Sequence, residues 1–307
     1  GTVVTKGTNT SISWTVPTTF YAQIPNAKTG TCTLTIETFN GSTSLGTNTC
    51  TLTVTTSSAS SAPTVSGAVV DTNATTVALT GNSATLIRYK STAKCTITAT
   101  AKNSATISTK YINDVAPTNN ERSITNVSTT SFVFKATDSR GYTTSTTVTP
   151  SMIAYINLTC NPTITRLTPT GSDVVMTISG DYYRGSFGSY SNTLTIRYRY
   201  RKSTVSTWGS WTTVPSTKYT IGTKTYSSST ISLGDEFDYR DSYVFQVQAY
   251  DGANGTTLTT VTKTVTLQRG IPVFDWGESD FNFHVPIKIG DTQLTEEQLK
   301  KLLALIT

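Results

Sequence analysis

Through most of the chain, apolar residues alternate with threonine and serine, which is the period of a β-strand with one buried face. The run TCTLTIETFNGSTSLGTNTCTLTV (residues 31–54) contains two such strands around Asn40 and Gly41, a strong hairpin signal. Too few strands precede the Ser/Ala-rich linker at residues 57–63 to close a sandwich. The pattern therefore predicts either a very small immunoglobulin-like domain at 1–58, or a domain whose opening strands lie upstream of Gly1.

Two blocks of this pattern recur in the same order. Thr85–Ser91 resembles Leu194–Ser203, and Ser131–Gly141 resembles Tyr243–Gly255. Both pairs are separated by about 110 residues, close to the length of one immunoglobulin-like domain. The repeat therefore predicts two immunoglobulin/fibronectin III-like sandwiches, at 63–156 and 157–268. Alternation also predicts six core residues, one in the first domain and five in the two sandwiches: Trp14, Phe132, Phe134, Tyr198, Phe245 and Val247. The repeat also matches Ile87 with Ile196, Tyr89 with Tyr198, Ala136 with Ala249 and Asp138 with Asp251.

The last segment, 269–307, differs from the rest because an aromatic-rich stretch is followed by a helical pattern. Thr295 and Gln298 form a predicted capping box, and acidic Glu296 and Glu297 suit the first helical turn. A helix of about three turns is marginal alone in water, so its apolar stripe needs a cover. Packing onto its own domain is one alternative, and self-association is the one we favour. The residues predicted to form a trimerisation tip are Phe274, Trp276, Phe281, Phe283, Leu294, Leu299, Leu302, Leu303 and Ile306.

Composition limits the classes of protein that this chain can belong to, but it does not identify a binding partner. The 307 residues carry a net charge of +6, which is compatible with anionic surfaces but does not require nucleic acid. No apolar run is long enough for a membrane span. The four cysteines include no CxxC pair, so buried free thiols are the expectation, with a Cys32–Cys50 bridge as the alternative.

The residues do not suggest catalysis, a metal or a cofactor. The sole histidine, His284, has no second histidine or thiol cluster with which to form a metal site or a triad. Acidic residues crowd together in GDEFDYRD (residues 234–241), where a carboxylate pair for glycan hydrolysis or a calcium site are the functional alternatives to a solvated turn. Asp138 and Asp251 open the repeated turns, which favours Asx-turn roles.

Two neighbouring features are candidates for surface binding. The loop at 180–192 combines aromatic residues with glycine and serine, as adaptable binding loops do, although these rings could equally plug the sandwich. On the following strand, arginine alternates with apolar residues, so three arginines share one face, either as a binding ladder or as a solvated surface. The candidate residues are Tyr182, Tyr183, Phe187, Tyr190, Arg197, Arg199 and Arg201.

Three stretches carry a resemblance to a known family: Gln23–Ser42, Ala136–Tyr142 and Arg269–Ile287. They resemble minor structural proteins of siphophages that infect Gram-positive bacteria, over nearly the whole chain. The resemblance implies immunoglobulin-like repeats, a location at the tail tip or baseplate, and further sequence before residue 1. It implies no catalytic or binding residue.

These observations together predict an all-β protein of tandem sandwiches with a C-terminal β segment and a short oligomerising helix. The expected function is that of a non-enzymatic tail-tip or fibre component, assembled in the host cytoplasm, that contributes to host attachment. Expected partners are two further copies, other tail-tip proteins, and host wall polysaccharide or teichoic acid. The alternatives are a bacterial adhesin or wall carbohydrate-binding protein and, from a third class, a glycan hydrolase.

Overall fold

The computed structural model describes residues 7, 11, 13–270, 274–276, 281–283, 288–289, 292–293 and 295–304. The described residues are mostly β-strands, which confirms the predicted all-β class of tandem sandwiches. The chain folds into two compact units, Gly1–Ala154 and Tyr155–Thr307. None of the described helices has the length and apolar character needed to cross a membrane.

The first unit begins with a 3₁₀ turn at Thr18–Gln23 and a long antiparallel hairpin. The hairpin consists of β1 (Thr29–Asn40) and β2 (Thr43–Thr55), and its turn contains Gly41 at a positive φ of 53°. Two short helices and eight strands follow. They are α1 (Ser58–Ser61), β3 (Thr64–Asp71), α2 (Ala74–Thr80), β4 (Thr85–Ile87), β5 (Ala93–Thr100), β6 (Ile107–Ile112), β7 (Glu121–Ile124), β8 (Phe132–Asp138), β9 (Thr143–Val148) and β10 (Ser151–Ile153).

The core of the first unit lies between a β3-β5-β7 sheet and a β6-β8-β9 sheet. Two antiparallel sheets packed over one core are the arrangement of immunoglobulin-like sandwiches. Phe132 and Phe134 on β8 are fully buried, as the alternation predicts. The sheets approach closely at Gly67, where an added Cβ would lie 2.2 Å from the ring of Phe134. Trp14, by contrast, is 37% exposed, so its predicted core position is wrong. Its ring packs only at the surface of this unit, against Phe20.

The second unit contains the next eleven strands and a 3₁₀ turn at Ser216–Lys218. The strands are β11 (Asn161–Arg166), β12 (Val174–Asp181), β13 (Ser186–Phe187), β14 (Tyr190–Ser191), β15 (Thr193–Lys202), β16 (Thr212–Thr213), β17 (Tyr219–Ile221), β18 (Thr225–Ser228), β19 (Ile231–Gly234), β20 (Tyr243–Ala253) and β21 (Thr256–Leu267). One sheet has the order β11-β12-β18-β17, with β19 also paired to β12. The other has the order β16-β15-β20-β21. Phe245 and Val247 on β20 are fully buried and Tyr198 on β15 is 9% exposed, so all three predicted core positions are confirmed.

Of the two repeated sequence blocks, one forms equivalent strands in the two units and the other does not. β8 and β20 occupy equivalent places, each central in its sheet between an earlier strand and the following hairpin strand. The match of Ile87 with Ile196 is wrong, because β4 pairs in parallel with β10 while the strand that pairs with β8 is β6. Alternation marks a strand but does not specify its sheet, so the similarity of these two blocks is only local.

Each sandwich contains an arginine that donates hydrogen bonds to four backbone carbonyls. Arg140 is 5% exposed, and Arg166 is half-buried. The acceptors are Tyr21, Ile24, Lys102 and Asn103 for Arg140, and Gly171, Phe237, Asp238 and Asp241 for Arg166. Both arginines therefore hold irregular loops whose carbonyls have no partner in a sheet.

The C-terminal segment is described in part. The hairpin of β22 (Phe274–Trp276) and β23 (Phe281–Phe283) pairs Phe274 with Phe283 and Trp276 with Phe281. Another pair, β24 (Lys288–Ile289) and β25 (Thr292–Gln293), precedes α3 (Glu296–Leu303). The side chains of the tip residues predicted to oligomerise lie outside the described part. So do His284, Leu294 and Ile306 altogether.

The predicted helix start is confirmed. The Gln298 carboxamide oxygen accepts a hydrogen bond from the Thr295 amide at 2.9 Å, and the Gln298 amide donates to the Thr295 hydroxyl at 3.3 Å. Ion pairs join Glu296 to Lys300 at 2.7 Å and Glu297 to Lys301 at 3.0 Å. The capping box therefore forms, whereas oligomerisation through the tip stays a prediction.

Candidate functional site

The outer face of the β16-β15-β20-β21 sheet carries the predicted arginines. Ile196 and Tyr198 on β15 point into the core, so Arg197, Arg199 and Arg201 lie on the opposite face. The register places Gln248 of β20 beside Arg197 and Gln246 beside Arg199. The alternation seen in the sequence is therefore the alternation of the folded strand.

Two tryptophans from the segment after β15 stack between the arginines. The guanidinium carbon of Arg199 lies 5.0 Å from the ring centroid of Trp208 and 4.5 Å from that of Trp211. Trp211 also lies 4.6 Å from Arg197, and Trp208 lies 4.9 Å from Arg201. Tyr250 of β20 extends the series, 5.3 Å from Arg197. We define the ladder as Tyr250, Arg197, Trp211, Arg199, Trp208 and Arg201.

Side-chain amides fix the orientation of two ladder arginines. The Nε of Arg197 donates to Gln248 at 2.7 Å, and the Nε of Arg199 donates to Gln246 at 2.8 Å. Gln248 in turn donates to the Thr262 hydroxyl at 2.9 Å. Among the described residues, neither Arg197 nor Arg199 makes a hydrogen bond through its terminal guanidinium nitrogens. Each therefore retains terminal donors for a partner.

Arg201, unlike Arg197 and Arg199, also binds backbone oxygens of the loop that follows β15. Its terminal nitrogen donates to the backbone oxygens of Lys202 and Ser203, both at 3.4 Å, and also to that of Val205. These bonds hold the loop that carries Trp208 across the sheet. Arg201 thus positions this part of the ladder, and its role in surface binding stays a prediction.

The ladder is suited to anions rather than to the apolar faces of sugars. Both tryptophan rings have guanidinium groups stacked on them, so their faces are already occupied. The residues that share this face by register are glutamine, threonine, valine and tyrosine, and none of those described is acidic. Arg197 and Arg199 are two residues apart on one strand, so their Cα atoms are about 6.8 Å apart, and both guanidinium groups contact the ring of Trp211. The site is therefore a short row of positive donors on a flat surface.

The aromatic loop acts mainly as a plug at one end of this sandwich. Tyr182 is 2% exposed and Phe187 is fully buried, so these two are not available to a partner, contrary to their prediction as surface-binding residues. Tyr183 is half-buried, with its ring centroid 5.5 Å from Phe187 and 5.7 Å from Tyr155. Only Tyr190, at 45%, is well exposed. Apolar rings fill this end because the open end of a sandwich otherwise leaves its core in contact with water.

Buried polar groups lie beneath the plug. The Tyr155 hydroxyl donates to the Asp251 carboxylate at 2.9 Å, and Asn192 donates to the same carboxylate at 3.0 Å. Burial, followed by the nearby Asp251 charge, raises the pKa of Tyr155. Asp251 therefore anchors the plug, and its predicted Asx turn stays a prediction. Asp138 does form one, since its carboxylate accepts from the amides of Arg140 and Tyr142 at 3.0 and 2.9 Å.

Three of the four carboxylates in the acidic run at 234–241 bind separate partners instead of pairing with one another. Glu236 accepts from the Tyr200 hydroxyl at 2.8 Å, Asp241 pairs with Lys202 at 2.5 Å, and Asp238 pairs with Arg240 at 2.9 Å. The Arg240 hydrogen bonds lower the pKa of Asp238 to about 2. Within the part of the chain that is described, no three His, Cys, Asp or Glu side chains are grouped to hold a metal ion.

The fold and the ladder together define a class, that of tandem β-sandwich proteins with a flat, cationic sheet face. Residues 1–271 match the family model described as "Siphovirus protein of unknown function (DUF859)". The chain therefore belongs to this siphovirus family, which confirms the phage part of the resemblance. No curated protein sequence matches the chain.

Two solved structures are among those that the chain matches in a structure comparison. One comprises the three N-terminal domains of the bacteriophage RB49 Highly Immunogenic Outer Capsid protein, with 10% identity, a TM-score of 0.26, and coverage of 80% of this chain and 89% of that chain. The other is protocadherin gamma B2 extracellular cadherin domains 3–6, with 15% identity, a TM-score of 0.24, and coverage of 80% and 57%. At such low TM-scores neither likeness assigns a function.

Proposed function

We propose that this chain is a non-enzymatic structural component of a siphophage virion, located at the tail tip, where it contributes to attachment to the host surface. The family membership supports a phage protein rather than a bacterial adhesin. Three carboxylates of the acidic run, those of Glu236, Asp238 and Asp241, are engaged with separate partners, which disfavours a glycan hydrolase. The chemistry of the ladder indicates which class of partner the protein could bind.

The partner that fits the ladder is a host wall polymer bearing phosphate groups, such as teichoic acid or a phosphorylated polysaccharide. Arg197 and Arg199 present fixed forks of donors, which match phosphate oxygens in geometry and charge. Their spacing of about 6.8 Å along the strand allows both to contact successive charges of one extended polymer. The occupied tryptophan faces argue against recognition by sugar stacking.

A single ladder is shallow, so its affinity is expected to be low. Presentation of three copies by a homotrimeric tip would raise the effective concentration and add avidity. Other tail-tip proteins would hold the assembly on the virion, and the protein would enter the particle during assembly in the host cytoplasm. In this arrangement the sandwiches serve as a rigid support for repeated weak contacts.

Binding to purified host cell walls across a salt series tests the proposal. The ladder variant is Arg197→Gln with Arg199→Gln. The matched control is Lys94→Gln with Lys135→Gln, which removes two exposed cations from the first unit. We expect the parent to lose affinity as salt rises, the ladder variant to bind about tenfold more weakly or worse, and the control to stay near the parent.

Walls stripped of phosphate polymers supply the second arm of this experiment. Binding that falls on stripped walls supports a phosphate ligand. Equal binding to stripped and intact walls would exclude that ligand. Binding that ignores salt and the arginine substitutions alike would leave the chain as a spacer whose attachment site is elsewhere.

A further inference from the structure

The sheet face that carries the ladder continues across two further strands with a different chemistry. Residues that pair directly across strands lie side by side on one face of a sheet. Beside the ladder arginines β20 presents two glutamines, and beside those β21 presents a line of threonines, all of them exposed. We call Gln246 and Gln248 the amide row, and Thr260, Thr262, Thr264 and Thr266 the hydroxyl row.

The amide row connects the arginines to the hydroxyl row and still keeps a free donor. Its two carboxamide oxygens accept hydrogen bonds from the Nε atoms of Arg197 and Arg199. The nitrogen of Gln248 donates to the Thr262 hydroxyl at 2.9 Å. Among the described residues, the nitrogen of Gln246 makes no hydrogen bond, and neither do the other three hydroxyls of the hydroxyl row. Uncharged donors and acceptors therefore lie beside the cationic donors of the ladder.

Threonines on an outer strand do not by themselves make a binding site, as the first unit shows. Its equivalent strand, β9, presents Thr143 and Thr147 on the outer face of its sheet. The cation beside this strand by register, Lys135, is held by Asp114 at 2.8 Å, and the Thr143 hydroxyl lies 2.8 Å from that of Thr137. The second unit differs because its hydroxyls lie beside two oriented arginines whose terminal donors make no hydrogen bond within the described chain.

The separation of the rows suits a ligand that is wider than a phosphate group. Neighbouring strands are about 4.8 Å apart, so the amide row lies about 4.8 Å and the hydroxyl row about 9.6 Å from the arginine strand. A phosphate on the arginines cannot reach the hydroxyl row across this distance. A sugar or polyol bonded to that phosphate extends sideways over both rows.

We propose that the ladder and the two rows form one site for a phosphodiester polymer whose repeating unit carries free hydroxyl groups. The inference rests on the proposed function, in which the ladder binds a phosphate polymer, and it assigns the residues that recognise the uncharged part. Arg197 and Arg199 bind phosphate oxygens. The nitrogen of Gln246 and the hydroxyls of Thr260 and Thr264 exchange hydrogen bonds with the hydroxyl groups of the polymer.

The same surface is poorly suited to a nucleic acid strand, although such a strand also carries phosphates. Single strands bind through bases that stack on open aromatic faces. Trp208 and Trp211 each have two guanidinium groups against their rings, and the two rows contain no aromatic residue. An inorganic polyphosphate lacks hydroxyl-bearing units, so it contacts the arginines and leaves the rows solvated.

Three soluble probes with about the same number of phosphates test the inference on the full chain: a glycerol phosphate oligomer, an inorganic polyphosphate and a single-stranded DNA oligonucleotide. The hydroxyl variant is Thr260→Val with Thr264→Val, which removes two hydroxyls and keeps the branched side-chain shape. Calorimetric titration measures each affinity. We expect this variant to bind the glycerol phosphate oligomer about tenfold more weakly and the other two probes as the parent does.

Two further variants serve as controls. Thr143→Val with Thr147→Val makes the same change on the equivalent strand of the first unit, and it should match the parent on all three probes. Arg197→Gln with Arg199→Gln should weaken binding of all three probes, by a factor that shrinks as salt rises. The loss caused by the hydroxyl variant should stay constant with salt, because it removes no charge.

The outcomes separate this inference from the proposed function. Equal binding of the glycerol phosphate oligomer by the parent and the hydroxyl variant would overturn the inference and leave the phosphate ligand of the ladder in place. Equal loss on all three probes would also overturn it, because the hydroxyls would then act on the phosphates or on the fold. A parent that binds none of the probes would remove the ladder as an anion site, and the proposed partner with it.

Discussion

The two units are both β-sandwiches of two packed sheets, but they differ in the residues that fill their cores. The core of the first unit contains aliphatic residues with Phe132 and Phe134, and it includes no tyrosine among its described members. The core of the second includes Tyr182, Tyr198, Tyr226 and Tyr243. Tyrosine adds buried area but requires a hydrogen-bond partner, so the second sandwich combines packing with polar anchoring. The two units should therefore differ in how strongly substitutions and pH change their stability.

Core truncation is expected to give the largest difference between the units. Phe245 lies in an aromatic cluster, with its ring centroid 5.5 Å from both Tyr200 and Phe237, whereas Phe132 has no aromatic ring contact among the described residues. Because ring contacts add to burial, Phe245→Ala should cost about 5 kcal/mol and Phe132→Ala about 3 kcal/mol. Urea unfolding measures both, with hydrogen exchange of β20 and β8 locating each effect. Equal costs would show that the aromatic cluster adds nothing beyond burial.

The two carbonyl-binding arginines supply the second comparison. Lysine keeps the charge but cannot reach four carbonyls, so Arg140→Lys should cost about 3 kcal/mol and Arg166→Lys about 2 kcal/mol. The larger value belongs to Arg140 because it is 5% exposed, and water cannot readily replace its bonds. Denaturant unfolding measures the costs, with the exposed Arg240→Lys as a control. A reversed order would mean that burial does not control these bonds.

Alkaline pH should lower the stability of the second unit before that of the first, by less than the substitutions above. Burial, followed by the hydrogen bond to Glu236, raises the pKa of Tyr200 to about 12, and burial also raises the pKa of Tyr182 and Tyr226. Folding favours the protonated phenol, so this stability is present below pH 10 and is lost as the pH rises towards 12. Hydrogen exchange between pH 8 and pH 11 should therefore show the second unit weakening first. Simultaneous weakening of both units would contradict the prediction.

Several local features were predictable because neighbouring residues control them. The hairpin at Asn40 and Gly41 and the capping box at Thr295 involve few residues that are close in sequence, and both form. The inward phase of β8, β15 and β20 was also predictable, because strand alternation places each residue on one of two faces. The similarity of β8 to β20 identified the equivalent strands correctly, since both combine this phase with a following antiparallel hairpin strand.

The failures concern features that depend on distant pairing. The pattern of Thr85–Ile87 marks a strand, but only the fold shows that it pairs in parallel with β10. Tyr182 and Phe187 have the composition of a binding loop, and only the open end of the sandwich explains their burial. Cys32 and Cys50 share a hairpin face, yet the register places each opposite a leucine, and both thiols are free.

The ladder was predictable in part from the sequence, and the rest of it is visible only in the folded protein. Alternation placed the three arginines on one face, and the sequence TWGSW (residues 207–211) just after that strand was the unused signal for the two tryptophans. Only the fold returns Trp208 and Trp211 across the sheet and brings Gln246 and Gln248 beside the arginines. Periodicity and caps act over a few residues and can be read directly from the chain. The stacking of the ladder, the burial of the aromatic loop and the pairing of strands all involve residues that come together only when the chain folds. These features therefore depend on the tertiary structure.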